Sequence, residues 1–397
     1  MSHLILVVRF AFKSVKYALV DLEGRLVLAH GKAHGIGQPT GEAIHTVENN
    51  SFHTELTEPT YETAFAACLK LIRAHGDPRI DAVAHRVIHG AEQFTDTVLI
   101  DQAVIAGVEA LASFAPEHNP DAARGMRIVG DALPDVPQAA VFDTAFFSDL
   151  PPAAATYALP VALTKELRIR KWGFHGTTHA YVTERVSLLL GEDNLRQVVC
   201  YLGKGCSISA VSAGLPVDVS TGLTTLEGLP MRTRSGSIDP GIHSYVLDRT
   251  GMSLAEFDRI LNEESGLYGL TGLTDMRAIW KAADDGDEGA TLAIDLLVHR
   301  IVSYIAAYHG ILGGAQAISF TGVIGENDHR LRAAVCQRLE CLGVDIDPEV
   351  NAHTDMDTRS RIISKAGSDI VVLMVRQREA LAMAQETAQL LGWRARP

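Results

Sequence analysis

The clearest pattern of apolar and polar positions in this chain is one that occurs twice. Residues 4–21 and 198–214 each read as a short apolar run, a tight turn and a second run, that is, a strand, a turn and a strand. In the second copy the turn is Gly203-Lys204-Gly205. Two glycines let the backbone come close to a ligand, and successive N–H groups in such a turn can cradle an anion; an ordinary hairpin has the same pattern. Helices are predicted over 62–75 and 100–113 in the first half, with a strand over 82–87 that ends near Arg86 and His89. Residues 114–120 read as a loop, and Pro120 followed by Asp121 as a helix start. A buried strand over 139–143 precedes the Pro151-Pro152 break, the predicted domain boundary. The second half repeats the plan: a helix over 180–190, the glycine hairpin, and a loop-rich stretch over 218–243. Helices over 253–263 and 289–312, a strand over 318–321, a strand over 370–375 and a helix over 378–391 complete it. The expectation is an α/β chain with a duplicated two-domain architecture and an active-site cleft between the halves.

Composition narrows the class. At 397 residues, 47% hydrophobic and 21% charged, the chain has the make-up of a folded protein of two or three domains. A formal net charge of -13 argues against nucleic-acid and anionic-membrane binding, though not against small phosphates. Five cysteines, odd in number and without a CxxC pair, together with no basic-then-apolar leader, predict a reduced, cytoplasmic protein. No apolar run is expected to approach the ~20 residues of a membrane span.

Several stretches carry candidate chemistry. Trp172-Gly-Phe-His-Gly-Thr-Thr-His179 sets His175 between glycines, where an imidazole has little side-chain cover; a histidine can equally be structural. Arg232-Thr-Arg-Ser-Gly-Ser-Ile-Asp-Pro240 offers two guanidinium forks, which suit carboxylate or phosphate oxygens; such a loop can also be merely solvated. Asp143 ends an apolar strand, an expensive place for an acid unless it faces a cleft or a partner. Arginines, a histidine, an acid and glycine turns are the parts phosphoryl transfer needs. There is no GxxxxGK[ST] loop, so a P-loop enzyme is excluded.

Eight motifs in order then carry a resemblance over essentially the whole chain. They are Ala84-His-Arg-Val-Ile-His-Gly90, Ala115-Pro-Glu-His-Asn-Pro120, Phe142-Asp-Thr-Ala-Phe146, Gly173-Phe-His-Gly-Thr-Thr-His179, Leu226-Glu-Gly228, Thr233-Arg-Ser-Gly236, Ile238-Asp-Pro240 and Ile324-Gly-Glu-Asn327. The chain resembles the acetate kinase family, acyl-phosphate-forming enzymes of the actin/sugar-kinase/Hsp70 superfamily. The resemblance implies an actin-like (ribonuclease H-like) fold, with residues 1–149 as one domain, completed by the helix over 378–391. Residues 150–377 would form the nucleotide-side and dimerisation domain. It implies ATP, Mg²⁺ or Mn²⁺, a short-chain acyl acid such as acetate, and a homodimer built with help from residues 289–312. By resemblance Asp143, His175 and Arg234 are catalytic, Asp143 serving the metal and the other two the moving phosphoryl. Arg86, Ile88, Glu117, His118, Phe174 and Thr225 surround the acid. Ser14, Lys16, Tyr201, Leu202, Gly203, Lys204 and Gly205 face the phosphates. Asp275, Met276 and Arg277 line the adenosine side, with Val323, Ile324, Gly325, Glu326 and Asn327 beneath the nucleotide. Glu379 holds the metal.

The departures matter as much. Where the family's first turn has Asn, Gly and serines, this chain has Arg9-Phe10-Ala11-Phe12-Lys13-Ser14. Arg9 stands at a metal position and is no ligand, because Mg²⁺ takes oxygen. Arg9 and Lys13 could neutralise phosphate directly. Tyr201 and Lys204 replace a His and an Asn, Phe147 and Ser237 a His and an Asp, and Arg232 and Val323 two glycines. Val323 is expected to crowd the adenosine space, and Glu117 to repel a carboxylate. Three readings follow: an ATP-dependent acyl kinase, an acyl-phosphate enzyme using pyrophosphate or another donor, and a silent relative that binds a metabolite or partner.

Overall fold

The structure is a computed structural model that describes residues 3–353 and 360–393. It divides into two compact units, residues 1–148 with 378–397, and residues 149–377.

The first unit is built on eight strands: β1 (Leu4–Ala11), β2 (Ser14–Asp21), β3 (Leu26–His34), β4 (Thr40–Val47), β5 (Asn50–Thr57), β6 (Ala82–Val87), β7 (Val98–Leu99) and β8 (Gln138–Phe142). Their spatial order is β5-β4-β3-β2-β1-β6-β8-β7, with β1 to β5 an antiparallel meander and β1, β6 and β8 parallel. β1 is covered on both faces, which is why it reads as one apolar run. Leu6, Val8 and Phe10 pack with the helix Tyr61–Ala74, while Ile5 and Val7 pack with the C-terminal helix Glu379–Leu390.

The second unit repeats this plan with β9 (Arg196–Leu202), β10 (Cys206–Ser212), β11 (Leu215–Val219), β12 (Ala317–Thr321), β13 (Ser360–Ile362) and β14 (Val371–Val375), in the order β11-β10-β9-β12-β14-β13. Again an antiparallel meander, β9 to β11, adjoins parallel strands, β9, β12 and β14. The helix Glu288–Ile311 lays Ala293, Leu297, Val298, Ile301 and Ile305 into the core formed with Val198, Cys200, Ile208 and Phe320. Contrary to the expectation that no such run exists, this helix is long and apolar enough, by length and composition, to cross a membrane. The sheet it covers accounts for part of that apolarity, 39% of the apolar stretch being buried. All five cysteines are free.

Both strand–turn–strand stretches, and the strand at 82–87, stand where they were expected. The helix expected over 100–113 is Gln102–Ala110, because the Asp101 side chain accepts from Val104 N and starts it later. The strand expected to end on Asp143 ends at Phe142, so Asp143 lies just past the sheet. The helix expected from 180 starts four residues earlier, at Gly176, directly after His175. The stretch 218–243 is not all loop: it contains the end of β11 and the start of the helix Gly241–Thr250.

The turn joining β1 to β2 is strained. Ala11 pairs with Ser14, leaving Phe12 and Lys13 as a two-residue loop, and both have φ 53°. That is the conformation for which Asn-Gly is preferred, because left-handed backbone crowds a Cβ. Phe12→Asn with Lys13→Gly is therefore expected to stabilise the protein by about 1–2 kcal/mol. Thermal denaturation checks this as a midpoint higher by a few degrees.

A buried carboxyl adds a pH dependence. Glu386 accepts from Thr97 Oγ1 at 2.6 Å. Burial, with the charges of Asp96 and Asp143 acting in the same sense and the Thr97 bond opposing, pushes its carboxyl from the usual 4.5 up to about 7. A carboxyl that keeps its proton longer folded than unfolded makes stability fall as pH rises from about 4.5 through about 7. Glu386→Gln is expected to flatten that fall, read as the thermal midpoint against pH.

Candidate active site

The first unit gathers charge around Arg86, at the penultimate position of β6. Its Nε and Nη2 donate to the two carboxylate oxygens of Asp143 at 3.0 and 2.5 Å, a bidentate fork. Nε also lies 3.0 Å from Glu379 Oε1, at the first turn of the C-terminal helix. Arg86 and Asp143 are almost wholly enclosed, while Glu379 is partly open. Arg86, expected on the acid, and Asp143 and Glu379, both expected on the metal, thus form one cluster.

The β1–β2 turn is not shaped as a phosphate loop. The Arg9 guanidinium lies over the Phe12 ring at 5.8 Å, and that ring meets His118 edge-on at 4.6 Å. Ser14 Oγ donates to Ala11 O at 2.8 Å, within its own turn. Lys13 and Lys16 are exposed. Ile88 is half-buried and Glu117 is exposed.

In the second unit His175 stands at the start of the helix Gly176–Leu190 with φ 62°, left-handed backbone for a residue that is not glycine. Its Nδ1 lies 3.0 Å from Ser207 Oγ, and its ring is 4.4 Å from that of Tyr201. A Cβ added to Gly205 would come within 3.2 Å of His175 Cε1 and Nε2, so only glycine admits this approach comfortably. In the turn, the Gly203 N–H donates to Gly205 O at 3.0 Å, which withdraws it from the anion cradle expected there. Leu202 is buried in the sheet and serves the core.

Arg234 sits on a loop whose backbone is tied down along its length. Leu267 N donates to Met231 O, Tyr268 N to Arg232 O, Ser265 N to Thr233 O and Ser235 N to Leu261 O. Phe174 is buried, with its N–H on Thr221 Oγ1, and Thr225 is half-buried.

A cavity of about 860 Å³ opens in this unit, large for a small-molecule pocket. Gly203, Lys204, Asp275, Met276, Arg277, Val323, Ile324 and Asn327 line it, together with Arg232. Val323 does not fill the space as expected: it is 62% exposed and stands on the wall. Asp275 caps the helix Met276–Asp284 and pairs with Arg277, whose hydrogen bonds hold its carboxyl down at about 2. Gly325 and Glu326 lie in the helix Gly322–Asn327 behind the wall. Glu326 accepts from Gly322 N and Gln377 N, and burial raises its carboxyl.

Sequence reasoning missed two groups here. Trp280 lines the cavity, donates to Asp328 at 2.8 Å, and carries the Arg330 guanidinium 4.0 Å above its ring. The spacing Met276, Ile279, Trp280, Ala283 after Asp275 is a helical stripe that could have found it. Ser207 and His179 form the second group; Ser207 lies on a strand whose alternation gave no sign of a role.

Two α/β units of the same plan, one with an Arg–carboxylate cluster and one with a glycine turn beside a nucleotide-sized cavity, define a phosphotransferase of the actin-like two-domain class. The model of the acetokinase family matches residues 4–385, and the chain belongs to that family. It is 43% identical to the acetate kinase of Leifsonia xyli subsp. xyli, over 98% of this chain and 99% of the relative. Identity to the acetate kinase of Thermotoga maritima is 39%, over 98% of each. Among solved structures, Porphyromonas gingivalis acetate kinase superposes with a TM-score of 0.93 at 36% identity, covering 98% of this chain and 100% of the other. A propionate kinase from Francisella tularensis gives 0.91, also at 36%, covering 97% and 98%.

Proposed function

We propose that the chain catalyses reversible transfer of the γ-phosphoryl of ATP to the carboxylate of acetate or a similar short-chain acid, giving acyl phosphate and ADP. The observation that carries this reading is the cavity whose wall combines the Gly203-Lys204 turn with Asp275–Arg277 and Val323. Its size favours a nucleotide over bare pyrophosphate as donor.

Phosphoryl transfer asks the protein for position and charge more than for covalent chemistry. Arg234 and His175 would stabilise the group in flight, and Arg86 would orient the acid's carboxylate. A guanidinium has five donors, and the bonds to Asp143 and Glu379 engage two of its nitrogens. Among the described residues no group of three or more His, Cys, Asp or Glu side chains could hold a metal alone. Mg²⁺ needs no such cage, taking one or two carboxylates plus phosphate oxygens and waters. Asp143 and Glu379 fit that requirement; Arg9, a donor only, does not. The metal would supply charge neutralisation on the phosphates. Glu117, exposed, would stand in water and not against the acid. By kinship with the acetate kinases we also propose a cytoplasmic homodimer, with part of the interface on the second unit.

The test is acyl-phosphate formation, trapped as the hydroxamate, from acetate, propionate and butyrate with Mg²⁺ and either ATP or pyrophosphate. ATP-dependent product is expected. Product with pyrophosphate alone would transfer the assignment to a pyrophosphate enzyme, and none with either would leave a binding protein.

A further inference from the structure

We propose that Ser207 and His179 are positioning residues for the reaction. A hydrogen-bond chain running from His175 Nδ1 through Ser207 Oγ to His179 Nε2 fixes the His175 ring so that its Nε2 N–H faces the Gly203–Gly205 turn. The inference rests on the phosphotransferase reading above and names what aims its histidine.

The distances form an unbroken line. His175 Nδ1 is 3.0 Å from Ser207 Oγ, and Ser207 Oγ is 2.7 Å from His179 Nε2. His179 Nδ1 is 2.8 Å from Ser209 Oγ. Ser207, His179 and Ser209 have no solvent exposure. The Cε1–Nε2 edge of the His175 ring lies against Gly205, on the turn whose Gly203 and Lys204 line the cavity.

Direction follows from donor counting. An imidazole that meets an anionic phosphoryl at Nε2 and carries its charge is a donor at both nitrogens. The Ser207 oxygen must then accept from Nδ1, and its own hydrogen goes to His179 Nε2. His179 can take it because burial, reinforced by the charge of His175, pushes its imidazole down to about 3 and keeps it neutral. A neutral ring accepting at Nε2 carries its hydrogen on Nδ1, which donates to Ser209 Oγ. His175 Nδ1, the Ser207 hydroxyl and both nitrogens of His179 are satisfied with one tautomer of His179. His175, the left-handed residue that precedes the helix Gly176–Leu190, and His179, in its first turn, stand four residues apart, which brings their rings to the same Ser207 oxygen.

The experiment uses the whole protein with Mg-ATP and acetate. Ser207→Ala is expected to lower kcat about tenfold or more, the worth of a hydrogen bond to a charged group, with both KM values within about twofold. Ser207→Thr, which keeps the hydroxyl, is expected to recover most of that loss. ¹⁵N-labelled histidine in the unsubstituted protein is expected to show His179 as the Nδ1–H tautomer, and a His179 Nε2–H tautomer overturns the chain. That spectrum decides the matter even if Ser207→Ala does not fold. His175→Ala separates the two levels. If it keeps full turnover, the role given to His175 fails; if it is inactive while Ser207→Ala matches the unsubstituted enzyme, only the positioning chain fails.

Discussion

Arg86→Ala is expected to abolish phosphoryl transfer and to lower stability by about 3–5 kcal/mol, the cost of leaving an enclosed charge unpaired. Asp143 has 3% of its side chain exposed, and its carboxylate is bonded on both oxygens by Arg86. Without the guanidinium that charge has no fork to replace water. A fall in thermal midpoint on the order of 10 °C is the expected reading. Arg86→Lys is expected to regain part of the stability but little turnover, since an ammonium cannot bond two carboxylate oxygens and still present a planar edge. Arg86→Ala with unchanged stability would mean the Arg86–Asp143 pair contributes nothing to the fold.

Arg234→Ala is the second large effect, and it should separate from the first. The backbone of residues 231–235 is joined to residues 261–268 by four N–H···O bonds, three donated by residues 265–268 and one by Ser235, none of which involves the arginine side chain. Removing that side chain leaves those four bonds in place, so the fall in thermal midpoint is expected to be much smaller than for Arg86→Ala. An arginine on a transferred phosphoryl is worth ~10³ or more in turnover, and that is the expected loss in kcat. Steady-state kinetics beside a melting curve checks both halves. A drop in stability without a drop in kcat would reassign Arg234 to the fold.

What the sequence made legible follows from how each element is buried. β1, β9 and β12 are covered on both faces or at the sheet centre, and their apolar runs stand out. β3 to β5 passed unseen because they form the outer meander, with polar residues mixed among the apolar ones and few wholly enclosed residues. The helix Met276–Asp284 was missed although its Asp275 cap and apolar stripe were present.

The site shows the same division. Arg86, Asp143, His175 and Arg234 stood out as candidates because each is an expensive residue in a telling place: a charge at or just past the end of a core strand, a histidine among glycines, arginines in a turn. Ser207 was not readable, since a serine on a buried strand is cheap and common; only the meeting of two histidines on its oxygen gives it meaning. Val323, in place of a glycine, was read as loss of space; it lines a cavity that measures about 860 Å³ with that side chain present. The β1–β2 turn is the place where residue type and geometry agree on a change: Phe12 meets His118 edge-on, and Ser14 is bonded to its own turn.

The measurement that bears most directly on the account is the reverse reaction. Protein, Mg²⁺, acetyl phosphate and ADP are mixed, and phosphorus NMR follows the products. The account predicts that acetyl phosphate is consumed and ATP appears in equal amount, because the cavity holds the nucleotide that receives the phosphoryl. Release of inorganic phosphate without ATP, or no consumption by folded protein, would contradict it.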